Sequence, residues 1–251
     1  MYTVTEGAIM EYAYKVVVAD CAARFGFNYP IEPYSDVLAT SRSAAVEMLS
    51  RRFGVSDRTL AERYGYGLAP SPPLSAEEAA VAEDASFMAV LDGTAEASAQ
   101  VPEGGCTGEA NRRLDGVLEL NSGDHARELW VQAGFDVMSE PEYQEAVAQW
   151  STCMAEAGYE TDSPLSDPAV VDLINGRQDP EIPSQEEIAR ALVDVECKLR
   201  TKLVERLSAV AWSFEESVVE ANLLVLQENR QQLERRLDLA IAEIEKSGGL
   251  R

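Results

Sequence analysis

SQEEIARALVDVECKLRTKLVERLSAVAWSFEESVVEANLLVLQENRQQLERRLDLAIAEIEK, residues 184–246, holds neither Gly nor Pro. It opens on Ser184-Gln-Glu-Glu187, a capping box in which the Ser side chain caps the Glu187 N–H and Glu187 reaches back. It closes on Gly248-Gly249, with Lys246 in the last turn, where a cation is favoured. Between these ends runs an apolar stripe: Ile188, Leu192, Val195, Leu199, Leu203, Leu207, Val210, Phe214, Val218, Ala221, Val225, Leu233, Leu237, Ile241 and Ile244. From Ile188 to Val225 the steps average roughly 3.7 residues, above the 3.5 of a strict heptad. The spacing predicts one very long C-terminal helix. Opposite charges four apart (Glu186/Arg190, Asp194/Lys198, Glu196/Arg200, Arg230/Glu234) would each support it by a few tenths of a kcal/mol.

About 60 residues of helix extend about 90 Å, whereas a compact chain of 251 residues has a radius of gyration of about 18 Å. The helix therefore kinks, with Ser208 or residues 222–229 as the weak points, or its C-terminal half projects. A projecting half would need a partner for Leu233, Leu237, Ile241 and Ile244, either a second copy or another protein. Folding back on its own core is the plainer alternative. This divides the chain into a disulfide-tied helical region, 1–183, and the long helix, 184–248.

The rest of the chain is helical in pattern. Residues 6–24 end at Gly26, a helix runs from Ser35 or Asp36 to Phe53-Gly54, and Ser56 caps a short helix to about Arg63. Tyr64-Gly-Tyr-Gly-Leu-Ala-Pro-Ser-Pro-Pro is a loop or linker. Ser75-Ala-Glu-Glu78 opens a helix to about Leu91. Residues 109–120 and 124–138 form two more, and Ser139-Glu-Pro-Glu142 is a third capping box, opening a helix that stops at Gly158. Residues 168–175 form a short helix in a Pro-spaced segment. Runs that alternate with period two are few. The fold class is all-α, a multi-helix bundle.

The net charge is -23, which makes nucleic acid and anionic lipid poor partners. Between Tyr64 and Asn111 there is no Lys or Arg, while Glu77, Glu78, Glu83, Asp84, Asp92, Glu96, Glu103 and Glu109 fall there. Calcium binding is one reading. A solvated acidic surface is favoured, because no D-x-D-x-D-G pattern occurs. No run of 18 apolar residues exists, so no transmembrane segment is expected. Met1-Tyr-Thr-Val-Thr-Glu has neither the basic start nor the apolar run of a secretory leader.

Four cysteines permit two disulfides in three connectivities, or four reduced thiols, and no C-x-x-C pair suggests zinc. Cys21-Ala-Ala-Arg-Phe-Gly-Phe and Cys153-Met-Ala-Glu-Ala-Gly-Tyr share Cys, four residues, Gly, aromatic. Each places a Cys at the end of a helix before a left-handed Gly. Cys106 follows Gly104-Gly105 in a loop, and Cys197 lies on the long helix. Two similar clamps, Cys21–Cys106 and Cys153–Cys197, are the favoured pairing.

The order of these motifs covers most of the chain: Cys21-x4-Gly-Phe, Arg52-Phe-Gly-Val with Tyr64-Gly-Tyr-Gly, Gly104-Gly-Cys106-x3-Ala110, Trp150-x2-Cys153-Met-x3-Gly-Tyr, Ala191-x2-Asp194-x2-Cys197-Lys. It resembles a group of uncharacterised secreted proteins and lipoproteins of actinobacteria. The resemblance implies an extracytoplasmic location and disulfides, and carries no activity. The leader and lipobox cysteine of such precursors are absent here, so any lipid anchor would belong to the precursor.

Residues for catalysis are sparse. His125 is the single histidine, with Ser122 or Asp124 beside it. Those two read more naturally as helix caps, and no G-x-S-x-G elbow exists. H-E-x-x-H and phosphate-binding glycine loops are absent. With 44 acidic residues, a carboxylate pair of the kind a glycosidase uses carries no signal. Among aromatics, Tyr64, Tyr66, Trp130, Trp150 and Trp212 are candidates for a ligand groove, with Tyr64 and Tyr66 the best exposed. Trp150 is better read as packing on a disulfide and Trp212 as core. The expectation is a non-enzymatic extracytoplasmic protein without cofactor or metal. It would bind a protein partner or its own copy through the C-terminal helix. The alternative is an envelope ligand-binding protein with an aromatic groove, and a carboxylate hydrolase stands well behind.

Overall fold

A computed structural model describes residues 2–70, 76–94, 100–116, 125–177 and 182–250. Those residues form twelve α-helices and no strand. Two disulfides, Cys21–Cys106 and Cys153–Cys197, close the favoured pairing. Cys106 is not in a loop. It lies in a helix that begins at Gly105.

The expected single C-terminal helix is three helices of about 20 residues: α10 (Gln185–Thr201), α11 (Leu203–Ala221) and α12 (Leu223–Lys246). The first break is Lys202, in the left-handed region at φ 53°, ψ 36°. Such a residue costs about 1–2 kcal/mol. The break turns Leu203 and Leu207 fully into the core, where each burial contributes about 1.5–3 kcal/mol, so packing wins. The Thr201 hydroxyl donating to the Cys197 carbonyl loosens the same turn. Leu199 of the presumed stripe lies off the buried face of α10 and is 65% exposed. The second break is Asn222, whose amide donates to the Val218 carbonyl at 2.7 Å. Ser208 lies inside α11.

The chain forms two compact units, neither of them one consecutive segment. The first comprises Met1–Ala45, Pro72–Glu128 and Leu223–Arg251. Its centre is α1 (Val4–Ala23), capped by a Thr3/Glu6 box and buried at Ala8, Met10, Tyr12, Ala13 and Val16–Val18. The first part of α2 (Tyr34–Ser50) adds Val37. The short helices α4 (Ala76–Glu83) and α5 (Ala85–Asp92) replace the single helix expected there. Asp84 ends one and caps the other, accepting from Ser86 and Phe87 N–H. α6 (Gly105–Arg113) is bonded to α1 through Cys21–Cys106. α12 packs along α1, with Leu237 at the edge of a core that holds Ala240 and Ile244.

An ion pair joins the ends of this unit. Arg230 of α12 donates to both Glu6 oxygens, at 2.6 and 3.0 Å, and Glu6 also accepts from the Thr3 N–H. Arg230 is the main cause that holds the Glu6 carboxyl down, from 4.5 to about 2. A depressed carboxyl contributes stability that is present above its unfolded pKa and lost as pH falls through the folded one. Glu6→Gln is therefore expected to lower the melting temperature at pH 7. Its melting temperature should fall less than that of the wild type between pH 4.5 and 2. Parallel acid limbs in thermal melts of the two proteins would count against it.

The second unit comprises Val46–Ser71 and Leu129–Asn222. It contains α3 (Arg58–Tyr64), most of α7 (His125–Asp136), a 3-10 turn at Val137–Ser139, α8 (Pro141–Glu156), α9 (Pro168–Asn175), α10 and α11. Asp57 caps α3 in place of Ser56. The box expected at Ser139 does not form: that hydroxyl donates to the Asp136 carbonyl, and α8 starts on Pro141 with no side-chain cap. Ser75, of the second expected box, lies outside the described residues. The core of the unit is Trp150, Met154, Tyr143 and the Cys153–Cys197 bridge against Leu203, Leu207 and Ala211.

Candidate functional site

The site grows from the N-terminal half of α10. Its buried positions are Glu187, Arg190, Ala191, Asp194, Val195, Cys197 and Lys198. Apart from Cys197 these recur at three- and four-residue steps along one face. That face is rotated from the predicted stripe: Ile188 and Leu192 are half-buried, and four charged residues lie inside. A buried charge needs a partner, and each of the four has one.

Glu187 is fully buried and salt-bridged to Arg177, with Nη2–Oε1 at 2.5 Å and Nε–Oε2 at 2.9 Å. Its Oε1 also accepts from the Tyr66 N–H at 2.9 Å. Ser184 caps the Glu187 N–H as expected, at 3.1 Å, but the return arm of the box is diverted to these two groups. Arg177 in turn donates to the Tyr64 carbonyl. Gly65 sits at φ +60°, and a Cβ there would lie 2.4 Å from Glu187 Oε1. The Tyr64-Gly-Tyr-Gly67 turn thus closes on a buried ion pair, and only Gly fits at its centre.

One turn further on, Arg190 pairs with Asp167, whose other oxygen caps α9 by accepting from the Ala169 N–H. The Arg190 guanidinium also lies 5.0 Å from the Tyr159 ring centroid. Next, Asp194 accepts from Trp150 Nε1 at 2.9 Å and from Lys198 Nζ at 3.1 Å. Lys198 donates to the Val55 carbonyl at 2.8 Å as well. Burial is the largest influence on both members of this pair. It raises the Asp194 carboxyl and lowers the Lys198 ammonium, while each partner opposes the shift in the other. Gly54, at φ +79°, lets the Pro164 carbonyl and Lys198 Nζ approach to where a Cβ would be.

Asp167 and Asp194, one member each of two of these pairs, border a cavity of about 310 Å³. Tyr66, Trp150, Asp167 and Asp194 line its polar side, and Val55, Met154, Leu165, Val170, Val171 and Ile174 its apolar walls. Arg51, also lining it, donates to the carbonyls of Tyr66 and Gly67 at 3.1 and 2.7 Å, and its Nε stands 3.8 Å from Glu47 Oε1. Burial pushes the Tyr66 phenol up, and the neighbouring Asp194 carboxylate adds to this. Tyr66, which lines the cavity, therefore keeps its proton at physiological pH, and its phenol, which accepts from Arg190, retains an O–H to donate. Both aspartates are engaged, Asp194 by Trp150 and Lys198, Asp167 by Arg190 and a helix N-terminus.

The sequence-derived candidates are thus distributed unevenly. Tyr66 lines the cavity, whereas Tyr64 only supports it through its carbonyl, its ring carrying the Arg63 guanidinium at 5.1 Å. Trp150 packs with the Cys153–Cys197 bridge and also reaches the cavity. Trp212 is exposed and not core. In the proposed partner stripe, Leu233 is buried, Ile244 is buried in the core that α1 and α12 share, and Leu237 packs at that core's edge. Ile241 is 39% exposed. His125 is exposed, 3.2 Å from Glu128, and Ser122 and Asp124 lie outside the described residues. Glu77, Glu78 and Glu96 of the acidic segment also have no described side chain. Among the described residues no group of three or more His, Cys, Asp or Glu is placed to hold a metal ion.

The charged face of α10 escaped sequence reading because Asp194/Lys198 has the spacing of an ordinary surface pair. The available signal was that residues 187, 190, 194 and 198 share a face with Ala191 and Val195. No family model matches the chain, and no curated protein or solved structure matches it either. Two disulfides are what an oxidising compartment sustains. No described helix is long and apolar enough to cross a membrane.

Proposed function

We propose that this is a non-enzymatic, extracytoplasmic binding protein. It takes a small, mainly apolar ligand into the α10 cavity of its second unit, with a carbonyl or hydroxyl of the ligand at the Tyr66 phenol. The carrying observation is the convergence of six apolar side chains on a polar floor held rigid by three buried ion pairs. Concave, mainly apolar sites with a few oriented polar groups are where small molecules bind. The pre-set floor lowers the ordering cost of binding. The two disulfides support an oxidising location. Docking through the Leu233–Ile244 stripe has less support, since Leu237 and Ile244 pack in the core around α1 and Leu233 is buried.

The test uses a Trp130→Phe/Trp212→Phe background, in which Trp150 is the remaining indole. Peptidoglycan fragments, acylated peptides and aromatic antibiotics are screened by thermal shift and titrated by Trp150 emission. At least one class is expected to bind saturably with Kd on the order of micromolar. Ile174→Phe, which fills the cavity from α9 without adding an indole, should weaken it more than about tenfold, or 1.4 kcal/mol, with the fold intact. Absence of any ligand, or equal binding by Ile174→Phe, would sink the reading.

A further inference from the structure

A second surface of the same unit is built for a different occupant. Trp130 is 39% exposed and Phe135 64%, and Val131, Met138 and Leu165 are exposed as well. Large apolar side chains gathered on the surface of one unit mark an interaction site. They line two open grooves, of about 470 and 220 Å³, that meet at Met138 and Tyr143. The rim is one-signed. From Glu128 to Gly176 the sequence has ten acidic residues and no Lys, Arg or His. Asp162 lines the larger groove, and Asp136 and Glu142 stand exposed beside the apolar residues. None of these three is ion-paired among the described residues. Arg52, which lines the smaller groove, is neutralised by Glu215.

From this geometry we infer that the furrow between α7 and α8 is a docking surface for a cationic amphipathic segment of a partner protein. The segment's apolar anchors would seat on Tyr143 and Met138, and its Lys or Arg side chains would meet Asp136, Glu142 and Asp162. Charge selects the occupant. A second copy would set acidic rim against acidic rim in a chain of net charge -23, and an anionic membrane is repelled in the same way. A basic segment satisfies both the apolar floor and the rim.

The probe is a fluorescein-labelled helical Leu/Lys peptide of about 18 residues, with its Leu/Glu analogue as control. Binding to the full chain is followed by anisotropy, and in Trp212→Phe by the change in emission of exposed Trp130 against the constant background of buried Trp150. The Lys peptide is expected to bind in the micromolar range, to blue-shift Trp130, and to weaken steeply with salt. Phe135→Ser/Met138→Ser should weaken it about tenfold or more. Asp136→Asn/Glu142→Gln/Asp162→Asn should weaken it several-fold and flatten the salt dependence. Neutralising Asp20, Glu83 and Glu103 in the first unit should leave it within about twofold. Equal losses from the two charge triples would mean unspecific attraction to the acidic surface and would overturn the proposal. So would unaltered binding by Phe135→Ser/Met138→Ser, no binding at all, or a dimer in sedimentation that these two substitutions dissociate.

Discussion

Asp194→Asn is expected to destabilise the second unit by about 3–5 kcal/mol, although it removes a single charge and almost no volume. The side chain is buried and holds two donors, Trp150 Nε1 and Lys198 Nζ. The amide can still accept from the indole. Lys198, buried to the same degree, would keep only the Val55 carbonyl and no counter-charge. It would give up its proton, toward which burial already drives it, and this caps the loss. Removing both charges with Asp194→Leu/Lys198→Met leaves only the Trp150 N–H and the Val55 carbonyl unpaired, which costs about 1–3 kcal/mol for each group left unsatisfied. The double variant should therefore lose less than the sum of the two single ones. A double-mutant cycle by urea denaturation measures the difference. A single-mutant loss under about 1 kcal/mol would mean that water reaches the pair and that the cavity floor is not rigid.

Cys21→Ala/Cys106→Ala is expected to cost about 4–5 kcal/mol in the chain-entropy model, the bridged residues being 85 apart in sequence. For Cys153→Ala/Cys197→Ala, with a separation of 44, the figure is about 4 kcal/mol. The logarithm in loop length makes the two nearly equal, so location distinguishes them. The first should lower hydrogen-exchange protection in α1 and α6, the second in α8 and α10. The second should also loosen the cavity, because Trp150 and Asp194 flank its cysteines on the same two helices. Unchanged protection around either pair would show that packing alone holds those helices.

Much of this was legible along the chain. Apolar spacing, Gly and Pro punctuation and capping residues locate most helices to within a few residues, α9 at its observed bounds, because these signals act within one or two turns. The repeated Cys-x4-Gly-aromatic pattern marked Cys21 and Cys153 as two similar helix ends for the same reason, and pairing each with a different remaining cysteine gave the observed disulfides. Errors arose where a local preference met a remote group. Glu187 was free to complete its capping box until Arg177 and Tyr66 claimed its carboxylate. Tyr66 was readable as a binding residue from its Gly-flanked loop. Its companions in the cavity, from α8, α9 and α10, carry no local mark.

Helical class, acidity and the cysteine framework belong to the sequence itself, since composition and short-range periodicity determine them. Of the two interruptions in residues 184–246, the one at Asn222 falls at the edge of the weak region 222–229, whereas the one at Lys202 has no mark in the sequence. Lys202 and Asn222 are tolerable in a helix, and no rule of propensity breaks the chain at Lys202. It breaks because burying Leu203, Leu207 and Ala211 against the α8 core outweighs one left-handed residue. The cavity likewise exists only once residues more than a hundred positions apart, Tyr66 and Glu187, are brought within 2.9 Å. That is a consequence of packing, which one stretch of chain cannot encode alone.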